Sequence, residues 1–223
     1  MSDLLLGFDT ATPVTTVAVV EADLARGTSR PLAEASHRDP RRHGEVLPTL
    51  IASVLAEAGC RVEDLSGVAV GVGPGAYTGL RVGIATADAL GLSLGIKVFG
   101  AVTLDAMAFA TERTAPFAVV TDARRREVYL ATYADHRTRT RDPQVCAPDR
   151  VADVVASAEV LVDADTPPIP SLDVSVVDGV TGTAICQVVV DRLHRGEQVA
   201  SPRPLYLRAP DVTASAGPKS VLP

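Results

Sequence analysis

Apolar runs separated by turn residues predict strands and helices in a definite order along the first half of the chain. Short apolar runs are typical of strands, and longer stretches with apolar residues three and four apart are typical of helices. The predicted order is β-β-β-α-β-α-β. The segments are strands at residues 4–8, 15–20 and 32–37, a helix ending near Ala58, a strand at 67–72, a helix at about 78–94 and a strand at 97–99.

The second half of the chain repeats part of this order. Thr103 is a suitable N-cap for a helix that runs to about Thr111. The segments after it are strands at 117–120 and 127–133, a short helix at 151–158, strands at 160–162 and 174–177, and a helix at about 181–194. We therefore expect two duplicated lobes, at residues 1–102 and 103–208. Residues 209–223 have little apolar content and are expected to form a flexible tail.

The first predicted helix has one apolar stripe and a weakly polar opposite side. The stripe runs from Val46 to Leu55, and the other side carries small residues such as Ala52 and Ser53. A side with so little charge is typical of a surface that contacts something. Pro48 would disrupt a helix interior, so the helix is expected to begin near Glu45 or to be kinked there.

The second predicted helix has a row of small residues, Gly79, Gly83, Ala87 and Gly91, at four-residue spacing. Each glycine inside a helix costs about 1 kcal/mol relative to alanine, so the row needs a compensating close contact. Two interpretations remain open. The row packs on the protein's own sheet, or it forms a seam against another subunit.

Composition limits the class of protein. The chain has 223 residues, and 47% of them are hydrophobic, which is ordinary for a globular protein. Its net charge is −6, so the chain as a whole lacks the excess of basic residues that is typical of nucleic-acid-binding proteins. Its three cysteines are widely separated and predict neither a disulfide framework nor a zinc motif. Since the start is acidic and no apolar run reaches about 18 residues, we expect no signal peptide, no membrane span and a cytoplasmic location.

Residues 71–83, GVGPGAYTGLRVG, follow a predicted strand and open a helix. The spacing of Gly71, Gly73 and Ala76 fits the dinucleotide fingerprint, but no carboxylate follows about 20 residues later. A P-loop needs a lysine, and none occurs between Met1 and Ile96. The segment therefore favours a tight strand-to-helix turn over a phosphate cradle, with a dinucleotide-binding module as the least favoured alternative.

Other segments carry weaker signs of chemistry. Asp9, Thr10 and Thr12 lie in a hairpin turn and could either hold magnesium and phosphate or close the turn through Asx and ST hydrogen bonds. The tip at Arg124, Arg125 and Arg126 is either a solvated turn or a contact for an anion or RNA. The four histidines form no H-x-x-x-H pair, so no metal site is expected, and no activated nucleophile is recognisable.

Several motifs together resemble the TsaB (YeaZ) family, over nearly the whole chain. They are the N-terminal LGFDTAT at 6–12, HGExLP at 43–48, the glycine-rich segment at 71–83, DARRxEVY at 122–129 and PLYLR at 204–208. The glycine-rich segment together with DARRxEVY is the specific part of this resemblance.

The resemblance implies an actin/Hsp70-like (ASKHA, ribonuclease H-like) α/β fold of two lobes with mixed five-stranded sheets. It also implies a non-catalytic subunit in the synthesis of threonylcarbamoyladenosine on tRNA, which pairs with a TsaD-type paralogue and works with a TsaE-type ATPase. No cofactor would be held stably by this chain, although ATP and magnesium could act in the assembly, and an isolated chain could form a homodimer. The alternative is an ATP- and magnesium-binding enzyme of the same fold that uses Asp9.

In that family the two first-lobe helices contact the partner, which implies a partner-binding set on them. Its members here are His43, Glu45, Leu47, Leu50, Ile51, Val54, Gly79, Gly83, Ala87 and Gly91. Asp9, Thr10 and Thr12 would then be the remnant of a nucleotide site. The family's older label is M22 glycoprotease, but no catalytic residues for proteolysis are recognisable in this sequence.

Overall fold

The computed structural model describes residues 3–155 and 158–208. Its strands are β1 (Asp3–Asp9), β2 (Val14–Asp23), β3 (Thr28–Arg38), β4 (Gly67–Gly71), β5 (Lys97–Ala101), β6 (Phe117–Asp122), β7 (Val128–Asp135), β8 (Thr138–Cys146), β9 (Glu159–Val162) and β10 (Val174–Val176). Its α-helices are α1 (His43–Ala58), α2 (Tyr77–Leu94), α3 (Thr103–Ala110), α4 (Val151–Val155) and α5 (Gly182–His194). Short 3-10 turns lie at Val62–Asp64 and Pro148–Arg150.

Two five-stranded sheets with the same plan form the framework. The first sheet has the order β3-β2-β1-β4-β5 and the second the order β8-β7-β6-β9-β10. In each sheet the first three strands are antiparallel and the last two run parallel to the first. This repeated order confirms the predicted two-lobe α/β fold of the actin/Hsp70-like class, and with it the internal duplication.

The second lobe is reduced. The counterpart of the 16-residue α1 is α4, which has five described residues, and the described residues between β9 and β10 contain no helix. The sequence analysis missed β8, whose residues TRTRDPQVC are mostly polar, because an exposed edge strand has no apolar alternation to reveal it. The first lobe therefore contains the full pair of helices, α1 and α2.

Helix α3 packs within the second lobe, whereas α5 packs on the sheet of the first lobe. Helix α3 contacts β6, β7 and α5, and α5 contacts all five strands of the first sheet. At its start α5 lies very close to the sheet, because a Cβ on Gly7 would fall 2.4 Å from the carbonyl oxygen of Gly182. The Gly182 N–H also donates to Thr16 Oγ1 over 2.9 Å. The boundaries at 1–102 and 103–208 stay a prediction, and the expected tail at 209–223 lies outside the described residues.

Helix α1 begins at His43, two residues before the predicted start at Glu45. Pro48 therefore lies inside the helix, beyond its first turn. It lies on the exposed side of the helix. Proline has no backbone N–H, and the carbonyl group four residues earlier, which would have accepted from it, is open to water there. Helix α1 ends at Gly59, whose φ of 68° is the left-handed conformation of a C-cap glycine.

Candidate functional site

Helices α1 and α2 pack side by side on the first sheet, and their inward sides are buried in the chain itself. On α1 the buried residues are His43, Leu47, Ile51, Val54 and Leu55, with Leu50 half-buried and only Glu45 of the expected set exposed. The expectation that this stripe contacts a partner is therefore corrected, because these side chains fill the protein's own core.

The small-residue row on α2 also faces inward. A Cβ on Gly79 would lie 2.2 Å from the carbonyl oxygen of Thr10, and one on Gly83 would lie 2.4 Å from Thr10 Oγ1. Ala87 is fully buried, and a Cβ on Gly91 would meet Val98 Cγ2 at 2.5 Å. Of the two interpretations, packing on the protein's own sheet is correct, and these four residues do not form an exposed seam.

The outward sides of the same helices form a different surface, which we call the α1–α2 face. Leu92 is its most prominent residue, with 86% of its surface exposed. Its other exposed residues include Glu45, Pro48, Thr49, Ala52, Ser53, Ala56 and Glu57 on α1, and Arg81, Ala85, Asp88, Ala89 and Ser93 on α2. Small and apolar side chains predominate, which is unusual for a solvated helical surface.

Asp9 ends β1 and joins three segments. Its Oδ1 accepts from the Ala11 N–H over 2.7 Å, and its Oδ2 accepts from Thr103 Oγ1 over 2.7 Å. The same hydroxyl accepts from the Gly73 N–H, so Asp9 ties the hairpin to α3 and to the glycine-rich segment. Burial raises the pKa of this fully buried carboxyl group.

In this geometry Asp9 is a structural tie, and its role as a magnesium ligand stays a prediction. Both of its carboxylate oxygens have protein donors, and the bond to Ala11 is the Asx turn that was the structural alternative. Thr10 is also buried and donates to the carbonyl oxygen of Gly79 over 2.7 Å. Thr12 closes the turn through a 3.1 Å bond to the carbonyl oxygen of Val14.

His43 is the first residue of α1 and is buried beside β2. Its Nδ1 lies 2.7 Å from Thr15 Oγ1. Burial lowers the pKa of the imidazole, and Asp39 opposes this effect. No group of three or more His, Cys, Asp or Glu side chains within residues 3–155 and 158–208 is arranged to hold a metal ion.

The turn between β6 and β7 carries the arginine cluster. Arg124, Arg125 and Arg126 all have positive φ, between 54° and 63°. Asp122 Oδ1 accepts from the Arg124 N–H, and Arg208 donates to the carbonyl oxygen of Ala123 over 2.8 Å. Arg124 and Arg125 line a cavity of about 280 Å³ between this turn and the start of α2, which we call the interlobe cavity.

A larger cleft of about 1,070 Å³ separates the lobes on the side of β3 and β10. Thr12, Asp163 and Asp165 line both this cleft and the interlobe cavity. Arg38 at the end of β3 forms an ion pair with Asp165 of the second lobe, so the two lobes are bridged where the cleft and the cavity meet. None of the helices in the described ranges is both long enough and apolar enough to cross a lipid bilayer.

Comparison with known proteins identifies relatives of this arrangement. The family model described as TsaD, tRNA N6-adenosine threonylcarbamoyltransferase, matches residues 34–200. An uncharacterized protein of Mycobacterium tuberculosis (strain ATCC 25618 / H37Rv) is 45% identical over 143 residues, which is 64% of each chain. The tRNA threonylcarbamoyladenosine biosynthesis protein TsaB of Escherichia coli (strain K12) is 36% identical over 98 residues, 42% of each chain.

A solved structure extends the similarity to the fold. YeaZ from Pseudomonas aeruginosa superposes with a TM-score of 0.72 and 25% identity, over 92% of this chain and 100% of that one. The TsaB protein of Buchnera aphidicola subsp. Schizaphis graminum (strain Sg) is 30% identical over 62% of this chain and 64% of its own length. The chain thus spans 64% of the length of the mycobacterial relative and 42% to 64% of the TsaB relatives.

Proposed function

We propose a function that proceeds from one premise: the chain belongs to the TsaD family of tRNA N6-adenosine threonylcarbamoyltransferases. Named relatives to which it is similar include TsaB and YeaZ proteins. The proposed function is that of a non-catalytic scaffold subunit in threonylcarbamoyladenosine synthesis on tRNA. It pairs with a TsaD-type paralogue and activates it, in an assembly completed by a TsaE-type ATPase and the tRNA.

The observation that carries this proposal is the α1–α2 face. It presents the small exposed side chains of Ala52, Ala85 and Ala89 together with the exposed Leu92. Small residues allow another helix to approach closely, and an exposed apolar patch on a globular protein is typical of an interaction site. The same face would serve a homodimer when the partner is absent.

The residues that an enzyme of this fold would use support a non-catalytic role. The carboxylate of Asp9 is fully buried and bonded within the protein, and Nδ1 of His43 is engaged by Thr15 Oγ1. Asp9 therefore acts as a structural element and presents no reactive atom to the cleft.

Co-purification with the TsaD-type partner tests the docking face. Ala89→Arg and Leu92→Asp change exposed positions, so we expect both variants to remain folded and to weaken partner binding by more than about 30-fold. Ala115→Arg is the matched control, because Ala115 is also exposed but lies in the loop before β6. Gly83→Leu is not a suitable probe, since it would disrupt contact with Thr10 inside the protein.

Reconstitution then tests activation. Modified tRNA is measured with the partner proteins and either this chain, the Ala89→Arg variant or no added chain. We expect activity with the unmodified chain and with Ala115→Arg, and strong loss with Ala89→Arg. Normal partner binding by both Ala89→Arg and Leu92→Asp would refute the docking face, and full activity without the chain would refute the scaffold role.

A further inference from the structure

Residues 200–208, which we call the connecting segment, touch both lobes at the surface of the protein. The segment begins on the edge of the first sheet, where the Gly100 N–H of β5 donates to the carbonyl oxygen of its first residue over 2.9 Å. Its middle lies beside the end of β4, where the Leu205 N–H donates to the carbonyl oxygen of Val72 over 2.8 Å. Its last residue, Arg208, reaches the β6–β7 turn of the second lobe.

The β6–β7 turn has an unfavourable backbone conformation. Arg124, Arg125 and Arg126 have φ values of 63°, 54° and 61°, in the left-handed region that residues with a side chain rarely adopt. Such residues need support from the surrounding structure and are typical of segments that switch. Within the hairpin, the Arg124 N–H donates to Asp122 Oδ1 over 2.8 Å, and the Glu127 N–H donates to the Arg124 carbonyl oxygen over 3.0 Å. Support from outside the hairpin therefore bears on whether the turn keeps this conformation.

Arg208 provides support of that kind. Its Nη1 donates to the carbonyl oxygen of Ala123 over 2.8 Å and lies 3.4 Å from the carbonyl oxygen of Arg124. Its Nη2 forms an ion pair with Glu127 over 2.8 Å. The planar guanidinium group has several donors in a fixed arrangement, which suits contact with more than one acceptor. A single side chain thus connects the residues on both sides of the strained turn.

Exposed side chains of α2 hold the connecting segment on the first lobe. The rings of Tyr77 and Tyr206 are stacked with their centroids 5.1 Å apart. Arg81 Nε donates to the Tyr206 hydroxyl over 3.0 Å, and its guanidinium carbon lies 4.1 Å from the Tyr77 ring centroid. Tyr77 and Tyr206 are 39% and 41% exposed. Because contacts of this type are weak at exposed positions, they can separate without disturbing the core.

Burial of the connecting segment is shallow. Each of the described residues 201–208 is half-buried or exposed, and Leu205 and Leu207 pack only at the margin of the large core cluster. Segments with few buried contacts open locally at a small fraction of the free energy of global unfolding. The segment can therefore leave its place while both sheets stay folded.

We propose that the connecting segment is a releasable latch between the lobes. In the latched state Arg208 holds the β6–β7 turn in its left-handed conformation. In the released state the segment leaves α2 and the turn as one unit, and the three arginines of the turn relax to ordinary backbone conformations and become accessible. The latch is a property of the isolated chain, so it does not rest on the proposed scaffold function.

Limited trypsin digestion of the full chain measures release, because trypsin cleaves after arginine and a site in folded protein is cut only when it opens. Cleavage within the turn is quantified by mass spectrometry relative to cleavage after Arg61, an exposed residue in the loop after α1. We expect Arg208→Ala to increase cleavage within the turn at least about tenfold, because hydrogen bonds from a charged group are lost.

Arg203→Ala is the matched control for this variant. Arg203 is an exposed arginine of the same segment, and its side chain makes no hydrogen bond or ion pair with residues 3–155 and 158–208. We expect this variant to be cleaved within the turn at the rate of the unmodified chain. Both variants should keep the melting temperature of the unmodified chain closely, since neither change reaches the core.

Arg81→Ala tests whether the latch releases as one unit. The described contacts of the Arg81 side chain are with Tyr77 and Tyr206, not with the turn. If the latch is cooperative, we expect cleavage within the turn to rise about threefold or more, together with faster hydrogen exchange of the Leu205 N–H. The proposal is overturned if Arg208→Ala leaves cleavage within the turn unchanged, or if Arg81→Ala speeds exchange at Leu205 without affecting the turn.

Discussion

At the scale of single residues, Asp9 shows how a residue suited to catalysis is used for structure. Its two carboxylate oxygens connect the first hairpin to α3, and Gly71 leaves room for it, since a Cβ there would fall 1.8 Å from Asp9 Oδ2. We expect Asp9→Ala to lower the free energy of unfolding by about 2–4 kcal/mol, because it leaves buried donors unsatisfied and a small cavity. Asp9→Asn should lower it by about 1–2 kcal/mol, since its amide oxygen still accepts from Ala11.

Urea unfolding monitored by circular dichroism measures both Asp9 variants. Thr12→Ala is the control, because Thr12 is less buried and its hydroxyl bonds only within the turn. If Asp9→Ala were as stable as the unmodified chain, the carboxylate would not be the structural tie described here.

His43 predicts a pH dependence of stability. Its pKa is lowered by burial in the folded chain, so the unfolded chain, with an imidazole pKa of about 6.5, binds the proton more strongly. The stabilisation is therefore complete above about pH 6.5 and is lost as the pH falls towards the folded pKa. We expect the His43→Asn variant, which does not titrate, to show a flatter profile of unfolding free energy between pH 7.5 and 5.5. An equal slope in the two proteins would show that another group is responsible.

At the scale of elements, two glycines in neighbouring helices should respond oppositely to the same substitution. Gly79→Ala would place a methyl group 2.2 Å from the Thr10 carbonyl oxygen, so we expect a loss of about 1–3 kcal/mol despite the better helix propensity of alanine. Gly44→Ala meets only Val82, at 4.0 Å, and should stabilise the chain by up to about 1 kcal/mol. Thermal unfolding of the two variants measures both changes in stability. A Gly79→Ala protein as stable as the unmodified chain would contradict the close packing of α2 on the first hairpin.

The same helices show what could be predicted from the sequence and what could not. Periodicity located α1 and α2 and revealed the small-residue row, because both follow from local spacing. The direction in which the row faces depends on Thr10, which is distant in sequence and becomes its neighbour only after folding.

At the scale of the whole molecule, helix α5 makes the two lobes interdependent. It begins 81 residues after the end of the last strand of the first sheet, yet it contacts all five of that sheet's strands. Asp105 on α3 strengthens this arrangement, because it accepts from Arg192 on α5 over 2.7 Å and from Tyr133 on β7 over 2.9 Å. A division of the sequence at residue 102 therefore separates two chain segments whose side chains pack together in the structure.

This interdependence predicts the behaviour of the isolated first lobe. A fragment of residues 1–102 contains the first sheet with α1 and α2 but lacks α5, whose buried residues Ile185, Val188 and Val189 belong to the same core cluster as that sheet. Exposure of one apolar side of the sheet should prevent cooperative folding, so we expect no sigmoidal thermal transition and strong binding of a hydrophobic dye. Co-expression with residues 103–223 should restore a folded complex, because it supplies α5 in trans. A fragment that unfolds cooperatively near the melting temperature of the intact chain would show that the first lobe is an autonomous domain.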